Sequence, residues 1–340
     1  MEKIKLTAIL LAFLCFLTAC GTSAGNGNAP GAEEPVNEET ERTPTNADGS
    51  RGGDPGGGGR GGITVANDPE IQSVLDENAG KFEQRTFVDP DTADVLEYSL
   101  YIPDGYDASA AYPLLMFIPD STGAGKSAKE IVEQYYGAAV WVTEEEQGKH
   151  PSFVAVPAFT ETVVDDDWNV SAQVETAVSL LRELQETYSI DASRLYTTGQ
   201  SMGCMTSLYL NCKYPDLFAA SMFVSGQWDI SALKPLENQK FFYITAGGDA
   251  KASGGQDEVM ALFDVDGVPY SYGEWNAQNS DEEQIAAVNA LTEQGLNANM
   301  VRFESGSVFK EGESGMEHMA SFNYGYKLSA VRDWLFAQCK

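Results

Sequence analysis

The stretch Arg194-Leu195-Tyr196-Thr197-Thr198-Gly199-Gln200-Ser201-Met202-Gly203 decides how this chain is read. Residues 194–198 have the composition of a strand, and Met202 to Lys213 reads as a helix. Between them lies Gly-x-Ser-x-Gly, a strand-to-helix turn so tight that its neighbours must lack bulky Cβ groups; Gly199 and Gly203 supply that freedom. The turn sets the Ser201 hydroxyl at a helix N-terminus, where backbone N–H groups and the helix dipole favour negative charge. Upstream, Phe82–Val88 and Val95–Ile102 read as strands. Pro113–Ile118 and Phe153–Val156 are short continuous apolar runs of the kind found in doubly buried strands. Ser127–Val140 and Ser171–Tyr188 carry helical patterns, the latter with one apolar stripe at Val174, Ala177, Val178, Leu181, Leu184 and Tyr188. Downstream, the strands Ala219–Val224, Phe241–Thr245 and Met300–Phe303 alternate with helices at Asp281–Gln294 and Tyr324–Ala337. Such alternation predicts an α/β fold, a doubly wound and mostly parallel sheet with helices on both faces.

A serine hydroxyl is a weak nucleophile until a base takes its proton, which directs attention to histidine. The chain has two. His318 falls in Gly315-Met316-Glu317-His318-Met319, a predicted loop after the last strand, and loops at the carboxyl ends of parallel strands open onto one face. His150, in Lys149-His150-Pro151, precedes a strand and belongs to the opposite edge, where it is expected as a surface residue. The group that orients the imidazole is assigned to Asp249, which follows the strand Phe241–Thr245; Asp257 and Asp264 stay open as alternatives.

From about Glu97 to its end the chain resembles the α/β-hydrolases of the esterase and predicted-peptidase group that includes polyhydroxybutyrate depolymerase-like and feruloyl esterase-like proteins. The resemblance is carried by Tyr98-Ser99-Leu100-Tyr101-Ile102-Pro103 with Gly105-Tyr106, by Tyr112–Pro119, by Tyr188–Asp191 before Arg194-Leu195-Tyr196, by Gly199–Gly203 and by Tyr214–Ala220. The order Ser, Asp, His is also that of these enzymes. It implies hydrolysis of carboxylic esters through an acyl-serine intermediate without a cofactor. A serine peptidase, or a non-catalytic binding protein that retains the fold, are the alternatives. The family commonly carries His-Gly after its third strand, and here Pro119-Asp120 stand in that place. The oxyanion donors implied are the amides of Met202 and Ser121. Gln200, Trp168, Trp228 and Trp275 are candidates to line the substrate, the tryptophans because loop aromatics can stack on a sugar or phenolic ring, with loop aromatics that simply cap the core as the equal alternative.

Other motifs carry less. Asp120-Ser121-Thr122-Gly123-Ala124-Gly125-Lys126-Ser127 misses a phosphate-binding loop only at its first position, but Asp120 would set a negative charge against the phosphates. Asp165-Asp166-Asp167 and Asp264-Val265-Asp266-Gly267 lack the remaining oxygen ligands of a calcium loop, so no metal is expected. Cys204 and Cys212 lie eight residues apart on one predicted helix, about 12 Å and too far to bridge.

The remainder of the chain bears on its address. Of 340 residues, 21 are basic and 51 acidic, a formal charge of −30 that repels nucleic acid. Hydrophobic residues make up 43%, enough for a substantial core. Residues 1–19 read as an export signal, with Lys3 and Lys5 before the apolar run Leu6–Leu17. The run ends in Leu17-Thr18-Ala19-Cys20, which resembles the lipobox of bacterial lipoproteins, with Cys20 as the lipidated residue. Residues 20–62, with thirteen glycines from position 21 on, read as a flexible tether, and 63–340 as the catalytic domain. The expectation is an exported protein, anchored by lipid to the outside of a bacterial membrane, acting on a small or carbohydrate-linked ester.

Overall fold

The structure, a computed structural model, describes residues 68–340. The signal peptide, Cys20 and the tether lie outside the described residues. Nine strands form one sheet: β1 (Glu83–Val88), β2 (Val95–Tyr101), β3 (Tyr112–Ile118), β4 (Phe153–Ala158), β5 (Ile190–Gln200), β6 (Ala220–Val224), β7 (Phe241–Ala246), β8 (Tyr270–Trp275) and β9 (Ala298–Phe303). Their order is β1-β2-β4-β3-β5-β6-β7-β9-β8. β2 runs against both its neighbours, and every other pairing is parallel.

Alternation along the strands divides the core into two layers. In β7, Phe242, Ile244 and Ala246 join one buried cluster while Phe241 and Tyr243 join the other. β3 splits likewise, with Leu115 and Phe117 on one face and Leu114, Met116 and Ile118 on the other, because successive side chains point to opposite sides of a pleated strand. The first face is covered by α1 (Pro69–Asn78), α2 (Ala128–Gln134) and α3 (Tyr136–Ala139), which α4 (Glu144–Lys149) follows in the chain, together with helices from the end of the chain. The second is covered by α5 (Gln173–Thr187), α6 (Met202–Lys213) and α7 (Ala250–Asp266). The remaining helices, α8 (Asp281–Thr292), α9 (Glu317–Lys327) and α10 (Ser329–Phe336), return to the first face. The doubly wound α/β architecture predicted from the sequence is therefore the one observed.

Some elements differ from expectation. The helix expected over 127–140 breaks at Tyr135, which takes extended backbone (φ −106°, ψ 106°). In that conformation its buried hydroxyl meets the Asp120 carboxylate at 3.0 Å. Ser127 starts α2 with a reciprocal capping box to Glu130. The closing helix is two, interrupted at Leu328, and α9 begins seven residues earlier than predicted. His318 consequently lies in the first turn of a helix and not in a loop. α1, α4, α7 and β8 have no counterpart in the sequence reading. The first half of α7 buries Ala252, Ser253, Gly255 and Gln256, and only Val259 and Phe263 add large apolar side chains, too short a stripe to announce so long a helix. Gly255 is required there, since a Cβ would sit 2.4 Å from that of Gln227.

Candidate active site

β5 ends at Gln200 and α6 starts at Met202, leaving Ser201 alone to turn the chain, with φ 52° and ψ −115°. Positive φ is costly for a residue with a Cβ and persists only where the surroundings impose it. Here the Ser201 amide is fixed to the Val224 carbonyl at the end of β6, 3.0 Å away. A Cβ at Gly199 would lie 2.4 Å from the Gly203 carbonyl carbon, and one at Gly203 would lie 2.0 Å from the Ile118 oxygen. Both glycines are thus demanded by close backbone approach.

The structure brings Ser201, His318 and Asp249 into one hydrogen-bonded chain. Ser201 Oγ is 2.8 Å from His318 Nε2, and His318 Nδ1 is 2.6 Å from Asp249 Oδ2. A carboxylate can only accept, so in the neutral imidazole the proton sits on Nδ1 and Nε2 is left to accept the serine O–H. Asp249 is buried and also caps α7, accepting the Ala252 amide at 3.3 Å. The ring packs edge-on against Phe322, and the His318 carbonyl accepts the Ser321 hydroxyl at 2.8 Å. The alternatives to Asp249 lie elsewhere on α7, Asp257 in an ion pair with Arg302 at 2.6 Å and Asp264 near the C-terminal end of the helix.

A cavity of about 540 Å³ opens over the serine. Ser121 and Met202 line it, each at the first position of a helical turn, where an amide N–H has no intrahelical partner. Val164, Met205 and Met316 supply apolar wall, while Asp166 and Lys251 form an ion pair of 2.5 Å at the mouth. Oriented N–H donors beside a hydroxyl and an imidazole can bind an oxyanion and move a proton, the requirements of acyl transfer.

Two carboxylates at the site have roles the sequence did not reveal. Asp120 does not face substrate. It is buried and caps the turn Ser121–Gly123, accepting the Thr122 amide at 2.8 Å, the Thr122 hydroxyl at 2.6 Å and the Tyr135 hydroxyl, and it accepts Gln200 Nε2 at 2.9 Å through its other oxygen. The Tyr135 phenol is pushed up by burial and by the adjacent Asp120 charge. Glu317, next to His318, accepts the amides of Gly248 and Gly306 at 2.9 and 2.8 Å. Adjacency in sequence was the one available signal.

The substrate-lining candidates are not where they were expected. Gln200 is buried under the elbow against Asp120. Trp228 is buried too, edge-on to Tyr209 and Trp168. Trp275 closes β8 at the sheet margin, its Nε1 donating to Gln284 at 2.5 Å, four strands or about 19 Å from β5. Trp168 is 39% exposed but turns onto Trp228, whereas Asp165 and Asp166 of the same loop face the cavity. Indole rings gain more from burial than loops gain from displaying them. His150 is at the other end of β4, as expected, but is half-buried. It contacts Asp333 at 2.8 Å and stacks on Phe336, fastening α10. Among the described residues no cluster of metal-ligating side chains is found, and Cys204, Cys212 and Cys339 are unpaired.

A mostly parallel sheet with a strand–serine–helix elbow at its centre, facing loops that follow β7 and β9, defines the α/β-hydrolase class. Residues 94–306 match the family model described as "Putative esterase", which covers more than half of the chain; the protein belongs to this esterase family. Among solved structures, a thermostable esterase superposes with a TM-score of 0.56 at 23% identity, covering 78% of this chain and 64% of its own. The present chain thus spans just under two thirds of that protein's length. A ferulic acid esterase superposes with a TM-score of 0.50 at 13% identity, covering 76% of this chain and 98% of its own. No curated protein matches the sequence.

Proposed function

We propose that this protein is a serine esterase that cleaves carboxylic esters through an acyl-enzyme. The observation that carries the reading is the unbroken Ser201–His318–Asp249 hydrogen-bond chain at the floor of the cavity. Ser201 Oγ attacks the acyl carbon while His318 Nε2 takes its proton. The carbonyl oxygen becomes an oxyanion held by the amides of Met202 and Ser121, each worth on the order of 3 kcal/mol. As the C–O bond to the alcohol breaks, His318 returns the proton to the leaving oxygen. Water then repeats the sequence and frees the acid. Asp249 keeps the imidazole in the required tautomer and stabilises it when protonated.

The substrate class is small acyl or carbohydrate-linked esters, and the place of action is outside a bacterial membrane, with the chain held by lipid at Cys20. The signal run and the Leu-Thr-Ala-Cys motif support that address. The test is labelling of the purified protein with a fluorophosphonate, with mass spectrometry to find the adduct and Ser201→Ala as control. Reaction at Ser201, lost in the variant and accompanied by ester turnover, is expected. Absence of both on folded protein refutes the proposal and leaves a binding protein built on a hydrolase fold.

A further inference from the structure

Beside the three residues that would carry the reaction stands a fourth that touches none of the reacting atoms. Glu317 is half-buried at the first position of α9. Its Oε2 accepts the Gly248 amide at 2.9 Å, and its Oε1 accepts the Gly306 amide at 2.8 Å and the Ser305 hydroxyl at 3.1 Å. Gly248 immediately precedes Asp249, and Glu317 immediately precedes His318. The segments 248–249 and 317–318 are therefore joined by two parallel links, one from amide to carboxylate and one from imidazole to carboxylate. The third strand of the arrangement is the turn after β9, through Ser305 and Gly306.

The fit is close. A Cβ on Gly248 would lie 1.9 Å from Glu317 Oε1, so this glycine leaves the space the carboxylate occupies. Gly306 presents its N–H from a left-handed backbone (φ 82°). An ionised carboxylate accepting backbone N–H groups makes charge-assisted hydrogen bonds, stronger than neutral ones. Without it, the Asp249 loop would be tied to α9 through the His318 ring itself.

We infer that Glu317 is a positioning residue, a clamp that holds the loop bearing Asp249 against the helix bearing His318. The inference rests on the triad reading above. It predicts that loosening the clamp displaces the imidazole rather than the cavity wall, so turnover suffers and substrate affinity does not.

The experiment uses the full chain with three variants. Glu317→Gln is nearly isosteric but faces one amide donor with its own NH2. Glu317→Asp keeps the negative charge at the helix N-terminus and loses reach. Gly248→Ala displaces the carboxylate without changing it. Steady-state hydrolysis of a chromogenic aryl acetate is measured with the proton resonance of His318 Nδ1–H. The expected result in all three is a kcat lower by on the order of ten- to a hundred-fold, the scale of a misplacement approaching 1 Å, with KM nearly unchanged and the Nδ1–H resonance shifted upfield. Folded Glu317→Gln and Gly248→Ala proteins with wild-type kcat and an unmoved resonance overturn the clamp, even if their melting temperatures fall. Failure of wild-type Ser201 to react with a fluorophosphonate overturns instead the triad reading beneath it.

Discussion

Replacement of Asp120 is the sharpest probe of how the loop after β3 is held. Its side chain is 3% exposed and takes hydrogen bonds from Thr122 N, Thr122 Oγ1, Tyr135 Oη and Gln200 Nε2. In Asp120→Ala the two hydroxyls can satisfy each other, being 2.8 Å apart already. The Gln200 NH2 is buried and cannot, and an orphaned buried donor costs about 1–3 kcal/mol, whereas the Thr122 amide belongs to an exposed residue and can turn to water. With the lost packing of the side chain, a destabilisation of about 2–3 kcal/mol is expected. Asp120→Asn should cost only about 1 kcal/mol, since its oxygen can keep the Thr122 bonds while the Gln200 amide rotates to present oxygen to the new NH2. Activity should follow the same order. If the Ser121 amide serves the oxyanion, its displacement in the alanine variant lowers kcat by about a hundred-fold or more. Urea denaturation followed by circular dichroism gives the stabilities, and aryl-ester hydrolysis under fully folded conditions gives kcat. Wild-type stability and turnover in Asp120→Ala would refute the reasoning. Equal damage in Asn and Ala would show that the charge matters rather than the set of acceptors.

The two histidines offer a contrast within one chain: His318→Ala should abolish ester turnover, by about ten-thousand-fold or more, with the fold intact. His150→Ala should leave kcat unchanged while lowering stability by about 1 kcal/mol through loss of the Asp333 contact and the Phe336 stack, and the reverse pattern would undo the assignment. At the start of β5, Asp191 is held down to about 2 from 3.8, first by the Ser193 hydroxyl and then, against some desolvation, by Arg194 and the Ser193 amide. A depressed carboxylate stabilises the fold above its unfolded value and loses that contribution as pH falls through its folded one. Wild type should therefore exceed Asp191→Asn by about 1 kcal/mol at neutral pH, a modest amount because the pair is partly solvated, and the gap should close between about pH 4 and pH 2 in urea titrations.

What the sequence made legible was what local chemistry imposes. The elbow could be read because contacts at Gly199 and Gly203 forbid any other residue, and the strand and helix around Ser201 are long and regular. Asp249 and His318 could be placed because strands that run parallel deliver their following loops to one edge. The structure seats both within hydrogen-bonding distance of their partners, although His318 begins a helix. Elsewhere local reasoning had nothing to work on. The Gln200–Asp120 bond joins residues 80 apart and the Gly248–Glu317 bond residues 69 apart, so neither leaves a spacing in the sequence. The tryptophans stayed open between two readings for a related reason, because residue type does not say whether an indole faces solvent or finds a buried partner. Gln284 is that partner for Trp275.

These contacts share a physical logic that follows from composition. In a chain with 51 acidic and 21 basic residues most carboxylates have no cation to pair with, and an unpartnered charge near a core is costly. At this site the problem is met with backbone and side-chain donors. Asp120 takes an amide, two hydroxyls and a carboxamide; Glu317 takes two amides and a hydroxyl; Asp249 takes an amide and an imidazole. Each carboxylate fastens one carboxyl-edge segment to another: the β3 loop to the elbow, the β7 loop to α9, the β9 turn to both. Backbone N–H groups are fixed in place by the fold, so such links define position more tightly than a flexible lysine would. The bonds to the buried Asp120 and Asp249 also resist salt, which weakens the exposed Lys251–Asp166 pair far more. The acidity of the chain is thus no obstacle to building a rigid site around Ser201, because the donors that order the site are backbone amides and uncharged side chains rather than lysines or arginines.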